Sequence, residues 1–200
     1  MVALSTDKAS SPINLYGATK LVSDNVLQSA NHYAGTRDSR FSVVRYSNVL
    51  GSRGSVVPFF KKLAREGKDL PITDPTMTRF WVTPDQAVDF IVSSLEMMRG
   101  GEVFVPKIPS IKILDFAKAI SSDSATVASA IRPGKKLHEE MISLDDSRRT
   151  IELTDRCVIL PTINNWGISA LEGKSLPEAF SYRSDTKTEW LSIDQLRQLV

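Results

Sequence analysis

Two periods of apolar and polar residues run along the chain. Val2-Ala3-Leu4 is a short apolar run closed by Ser5-Thr6-Asp7, the pattern of a strand buried in a parallel sheet. Phe41-Ser42-Val43-Val44-Arg45-Tyr46 is β-rich and flanked by polar residues, predicting a second strand. Between them, after a loop over 9–15 containing Pro12, helical spacing over 16–33 places Leu21, Val22, Asn25, Val26 and Ala30 on an inward face. Strand, long helix, strand is the grammar of a βαβ unit with a right-handed crossover. Chains rarely open inside a core strand, so sequence upstream of Met1 is expected.

A Gly/Ser/Arg loop over 48–55 precedes a helix over 57–66, and residues 70–72 and 80–82 read as short extended pieces. Thr83 as N-cap and Pro84 at the first helical position open a helix reaching about Met98. A strand over 102–105, a short amphipathic helix over 113–120 and a polar loop over 121–130 follow. The last fifty residues predict a strand over 158–160 and a closing helix over 192–200.

Composition narrows the class. Hydrophobic residues at 42% and charged residues at 24% are ordinary for a globular protein, and the net charge of +2 comes from interspersed charges without a basic block. Nucleic acid is therefore not the expected partner, and no apolar run approaches membrane-spanning length. The lone cysteine, Cys157, fits a reducing compartment, so a cytoplasmic location is expected. No metal site is expected.

Candidate chemistry begins at Ser5-Thr6-Asp7-Lys8 and Tyr16-Gly17-Ala18-Thr19-Lys20. Tyrosine and lysine four residues apart share one helix face, where an ammonium favours tyrosinate and can bind the ribose hydroxyls of a nicotinamide nucleotide. They open the helix after a strand whose carboxyl end carries hydroxyls, the edge at which open parallel sheets bind ligands. Without further context, Tyr-x-x-x-Lys is more often chance, and Asp7-Lys8 a solvated loop pair. Acid and base work needs a lysine depressed and an aspartic acid raised in pKa, whereas mutual contact pushes both the other way. The Asp7 and Lys8 side chains are therefore expected to diverge, or to exchange a proton in a closed site. Arg53-Gly54-Ser55-Val56-Val57 offers backbone donors near a helix start, an anion site against the plainer reading of a glycine turn.

The chain resembles the extended short-chain dehydrogenase/reductase superfamily, and within it the inverting UDP-N-acetylglucosamine 4,6-dehydratases that open pseudaminic acid synthesis for flagellin glycosylation. The resemblance rests on ALSTDKASSPINLYGATK from Ala3, FSVVRYSNVLGSRGSVVPFF from Phe41, LPITDPTMTRFWVT from Leu70, GGEVFVPKIPS from Gly100 and IRPGKKLHE from Ile131, and is looser beyond about residue 150. It implies an α/β fold: the C-terminal part of a Rossmann-like doubly wound parallel sheet plus a smaller α/β substrate-binding subdomain. The expected division is 1–56 for the cofactor-binding half with catalytic residues, 57–150 for substrate and 151–200 as an extension.

The resemblance also implies roles. Asp7 is the acid and Lys8 the base of the elimination, and Tyr16 the base for C4 oxidation, assisted by Lys20. Leu4, Ser5, Tyr16, Lys20 and Val49 border NADP. Asn48 and the 53–57 stretch contact the UDP-sugar, Arg79 and Arg132 clamp its diphosphate, and Leu70 and Ile72 border the uracil. Tyr16, where related capsule-type enzymes often carry methionine, favours the flagellin-modification branch. The implied partners are UDP-N-acetylglucosamine and either further copies of the chain or a complementing N-terminal polypeptide.

Three departures stand out. Lys135 replaces the acidic residue of the family's Arg-Pro-Gly-Glu-Lys-Leu-His-Glu pattern, which either weakens ribose contacts or adds a phosphate contact. Ser47 stands where glycine is common. No G-x-G-x-x-G occurs among the 200 residues, so the chain alone is expected neither to bind NADP tightly nor to turn over, and to expose a hydrophobic sheet edge. The alternatives are a related UDP-sugar epimerase or dehydratase of other stereochemistry, and a non-catalytic module that binds UDP-sugars.

Overall fold

A computed structural model describes all residues except 35–36, 53–54, 164–168 and 188. The elements begin with β1 (Val2–Thr6), a 3-10 turn (Asp7–Ala9), α1 (Leu15–Ala34), β2 (Ser42–Tyr46) and β3 (Asn48–Val49). Next come α2 (Val56–Arg65), β4 (Leu70–Ile72), β5 (Thr78–Val82), α3 (Pro84–Met97), β6 (Val103–Pro106), β7 (Ser110–Lys112) and α4 (Ile113–Ile120). The chain then forms β8 (Thr126–Ala128), β9 (Glu140–Ile142), α5 (Leu144–Ser147), β10 (Thr150–Glu152) and β11 (Arg156–Ile159). It closes with β12 (Lys174–Ser175), β13 (Tyr182–Arg183) and α6 (Ile193–Leu199).

These elements sort into two units. The first takes Met1–Ser47, Asp85–Lys107 and Glu140–Arg183; the second takes Asn48–Pro84, Ile108–Glu139 and Ser184–Val200. This interleaving cuts across the contiguous division at residues 56 and 150 expected from the sequence. Each excursion between strands of one unit supplies a segment of the other.

In the first unit a six-stranded sheet runs in the order β1-β2-β6-β11-β10-β12. β1, β2 and β6 are parallel, and β11, β10 and β12 continue antiparallel. Val44, Phe104, Val158 and Ile151 bury against Phe90 of α3, and the Arg156 guanidinium lies 4.6 Å from the centre of the Phe90 ring. Thus the βαβ expectation holds for β1-α1-β2, while the sheet as a whole is mixed.

Helix α1 lies on a different face from the one its apolar spacing predicts. Val22 and Val26 are 61% and 62% exposed and Asn25 is exposed, whereas Asp24 and Asn31 are buried. The reason is polar. Ser5 Oγ donates to Asp24 Oδ2 at 2.9 Å, Arg45 Nη2 does so at 3.2 Å, and Arg45 Nη1 reaches Asp146 at 3.3 Å. Asn31 closes two bonds with the Phe41 backbone, at 2.9 and 3.0 Å. A buried guanidinium left without carboxylates would cost about 3–5 kcal/mol, enough to offset what burying two valines returns. Even so, burial pushes the Asp24 carboxyl above its ordinary value, while the Ser5 hydrogen bond and the Arg45 charge pull it back.

The second unit holds β3-β5-β7, β4-β8 and helices α2, α4 and α6. Its core centres on Phe116, whose ring meets Trp81 edge-on at 4.3 Å and stacks on Phe60 at 5.9 Å. β8 falls inside the stretch read as a polar loop: its side chains are exposed, so no apolar alternation marks it, yet its backbone pairs with β4. Among the described residues no helix is long and apolar enough to cross a membrane.

Candidate active site and nucleotide pocket

In the first unit the carboxyl end of β1 passes directly into the Asp7–Ala9 turn. Strand alternation sends Ser5 towards Asp24 of α1 and leaves Thr6 with the turn. Ser5, expected beside the cofactor, is buried and spends its hydroxyl holding the helix. Thr6 is the hydroxyl the sequence reading passed over: its Oγ1 donates to Asp7 Oδ1 at 2.8 Å and accepts from the Lys8 amide at 3.4 Å. The signal that would have found it is the two-residue period, which puts adjacent hydroxyls on opposite faces.

Asp7 is fully buried, and Lys8 Nζ lies 3.2 Å from its Oδ1. The expected divergence of these side chains does not occur. Burying a carboxylate without a counter-charge is costly, and the neighbouring ammonium is the compensation at hand.

Tyr16 and Lys20 occupy successive turns of α1, and Tyr16 is 54% exposed. Asn14 caps the helix, its Oδ1 accepting from the Gly17 amide at 2.8 Å while its carbonyl accepts from Ala18 at 3.0 Å. Gly17 is required by proximity: a Cβ there would sit 2.3 Å from the Lys8 carbonyl oxygen and 3.0 Å from Pro12 Cβ. The helix start carrying Tyr16 is therefore laid directly on the Lys8 peptide. Beyond the turn, Ser11 adopts a left-handed φ of 42°. Ser10 and Ser11 both donate to Glu140 Oε2, the former at 3.3 Å. Leu4 is about half exposed on β1.

The second unit contains a pocket of about 850 Å³. Its aromatic wall is Phe59, Phe60 and Trp81, and its polar lining includes Asn48, Ser55, Thr73, Arg79, Arg132 and Lys135. Among the described lining residues none is acidic. Val49, Val56 and Val57 also line it. Ser55 is the N-cap of α2 but forms no capping bond, and its buried Oγ has no hydrogen-bond partner among the described residues. Arg53 and Gly54 lie outside the described residues.

Two expectations for this pocket are corrected. Leu70 and Ile72 belong to the hydrophobic core, and it is Pro71 and Thr73, on the alternate face of the same strand, that reach the cavity. Arg79 lines the pocket, but its guanidinium is already engaged. Nε pairs with Glu139 Oε1 at 3.1 Å, Nη1 donates to the Thr78 and Leu137 carbonyls, and Nη2 donates to the Lys136 carbonyl and Met77 Sδ. An arginine has five N–H groups, and these contacts use all five.

Arg132-Pro133-Gly134-Lys135 forms a turn closed by the Lys135 amide on the Arg132 carbonyl at 3.1 Å, with Gly134 at φ 77°. Proline second and glycine third suit a type II turn, whose third residue needs positive φ. Lys135 Nζ donates to Thr73 Oγ1 at 3.1 Å. Desolvation, then the charges of Arg79 and Arg132, push this ammonium below the ordinary lysine value.

Residues 1–161 match the family model described as polysaccharide biosynthesis protein. The chain belongs to that family. It is 50% identical to the UDP-N-acetylglucosamine 4,6-dehydratase (inverting) of Campylobacter jejuni subsp. jejuni serotype O:2, with all of this chain and 62% of the relative aligned. The chain thus spans less than two thirds of that relative's length. Among solved structures, Pen from Bacillus thuringiensis superposes with a TM-score of 0.86 at 32% identity, over 99% of this chain and 60% of that one. The dTDP-glucose 4,6-dehydratase DesIV of Streptomyces venezuelae, solved with NAD and TYD, matches at 0.58 and 24% identity over 68% of this chain and 49% of that one, which speaks for the fold alone. The expected fold class, part of a Rossmann-like sheet with a smaller α/β subdomain, accords with these likenesses.

Proposed function

We propose that this family member carries the acid–base and nucleotide-binding residues of a C5-inverting UDP-N-acetylglucosamine 4,6-dehydratase, acting at the entry to pseudaminic-type glycan synthesis. The observation that carries the reading is the Asp7–Lys8 contact at the carboxyl end of β1, with the Tyr16 helix laid on the same Lys8 peptide. The relative named as the inverting dehydratase, identical at half the positions, supports it.

The residues fit the nicotinamide end of a dinucleotide: an exposed phenol, with a lysine one turn along the same helix. Such a cofactor, NADP in this reading, supplies a reversible hydride acceptor when bound. Tyr16 takes the proton of the C4 hydroxyl as that carbon is oxidised, and Lys20, one turn along the helix, would hold the ribose hydroxyls. The C4 ketone acidifies the C5 proton, which the Lys8 amine removes. Asp7 protonates the departing C6 hydroxyl, which leaves as water. Return of the hydride to C6 and of a proton from Lys8 to the opposite face of C5 would then complete the 4-keto-6-deoxy sugar. In a site closed over the sugar, one proton passed from the Lys8 ammonium to the Asp7 carboxylate along their hydrogen bond would give the elimination its neutral amine and carboxylic acid. Thr6 holds the Asp7 carboxylate in place.

The pocket of the second unit is read as the uridine diphosphate site. The α2 start, with its uncapped Ser55, faces the phosphates, and the aromatic wall flanks the base.

The test gives UDP-N-acetylglucosamine and NADP+ in deuterium oxide to the chain alone and to the chain joined to the glycine-loop half of the Campylobacter relative. The joined protein is expected to form the 4-keto-6-deoxy product with inversion and one deuterium at C5. Retention at C5, or untouched substrate, overturns the proposal.

A further inference from the structure

The pocket of the second unit carries more positive charge than its visible partners balance. Three cations line it, no described lining residue is acidic, and Glu139, whose charge acts on Lys135, is paired with Arg79. Arg79 itself has no donor to spare, because it ties the 136–137 backbone to β5 and Met77. That leaves the two ends of the Arg132–Lys135 turn. The Arg132 guanidinium makes no hydrogen bond or ion pair among the described residues, and Lys135 reaches only the neutral Thr73 hydroxyl. The two residues sit three apart across a turn that Gly134 locks, so both side chains spring from one short stretch of the pocket wall.

We infer that Lys135 is a phosphate-binding residue of this pocket, paired with Arg132 across the turn, while Arg79 is a positioning residue that holds the turn in place. This assignment rests on reading the pocket as a nucleoside diphosphate site. It makes Lys135 a determinant of ligand class, because an ammonium rewards phosphate oxygens that the acidic residue of the related pattern would repel. Burial first, and then the charges of Arg79 and Arg132, hold this ammonium below its ordinary value, and an incoming anion offsets the part that comes from the two guanidinia.

Titration calorimetry on the 200-residue chain with UDP and with uridine separates the two levels of the argument. Wild type is expected to bind UDP more tightly than uridine. Lys135→Met should lower UDP affinity on the order of tenfold, the scale of one charge-assisted contact, leave uridine unchanged and flatten the salt dependence. Lys135→Arg should keep UDP affinity close to wild type. No UDP binding by wild type removes the nucleotide reading of the pocket and this assignment with it. Normal wild-type binding with an unaltered Lys135→Met variant, or tighter UDP binding by Lys135→Glu, overturns the assignment alone.

Discussion

Replacing Gly17 by alanine isolates the contact on which the proposed catalytic geometry depends. Helix propensity alone predicts a gain of about 1 kcal/mol, since glycine is the poorer helix former. The structure predicts the opposite. A Cβ would stand 2.3 Å from the Lys8 carbonyl oxygen, against a closest tolerated approach of 3.0 Å, a shortfall of 0.7 Å. The obstacle is backbone and cannot rotate away, so the first turn of α1 must lift from the Asp7–Ala9 turn. Overpacking costs about 1–3 kcal/mol, and an obstacle made of backbone puts this case in the upper half, about 2–3 kcal/mol, leaving a net loss of roughly 1–2 kcal/mol after the propensity gain. For a chain of this size that is a fall of roughly 2–8 °C in melting temperature. In the joined enzyme, displacement of Tyr16 relative to Lys8 should cut turnover by about tenfold to a hundredfold, since misplacements near 1 Å cost on that order. UDP binding, which the proposed reading places in the second unit, should not change. Thermal unfolding monitored by circular dichroism, paired with calorimetry, reads both. A Gly17→Ala chain as stable as wild type, or more so, refutes the packing argument.

Three further outcomes are expected. Arg79→Met strands buried Glu139 and frees the 136–137 backbone, so urea unfolding should show a loss of about 3–5 kcal/mol, together with weakened UDP binding. Phe116→Ala removes the ring between Trp81 and Phe60 and should cost about 3–5 kcal/mol, with a red shift in tryptophan fluorescence. For Asp24, burial raises the folded-state value, so the folded protein holds this proton more tightly than the unfolded chain. Its stabilising contribution is complete below the ordinary carboxylate range and is lost as pH rises through the raised value. Unfolding titrations between about pH 4 and 7 should show wild type losing ground to Asp24→Asn as pH rises; a gain by wild type would mean the Arg45 pair outweighs burial.

Much of the first unit was legible in the sequence. Val2 to Leu4, the long helix and Phe41 to Tyr46 announce themselves by period, and Pro84 marks a helix start. The face of α1 was not legible, because apolar spacing says nothing of Arg45, 21 residues away, which needs Asp24 inside. Leu70 and Ile72 were read as lining residues although their alternation with Pro71 and Thr73 already divides core from cavity. Arg79 illustrates a deeper limit. Its chemistry suits a phosphate, but only the folded positions of Thr78, Met77 and the 136–139 stretch reveal that its donors are spent. For Asp7 and Lys8 the sequence leaves two arrangements open, divergence or proton exchange, and the demand of a fully buried carboxylate for compensation decides for contact.

The chain changes unit after Ser47, Pro84, Lys107, Glu139 and Arg183. No single cut therefore releases either unit whole, and any terminal deletion long enough to pass Ser184 strips pieces from both. Recombination cannot graft a new nucleotide pocket onto this scaffold as a cassette. Ligand preference must drift by individual replacements inside an unbroken thread, and the role proposed for the lysine that ends the Arg-Pro-Gly turn is of that kind.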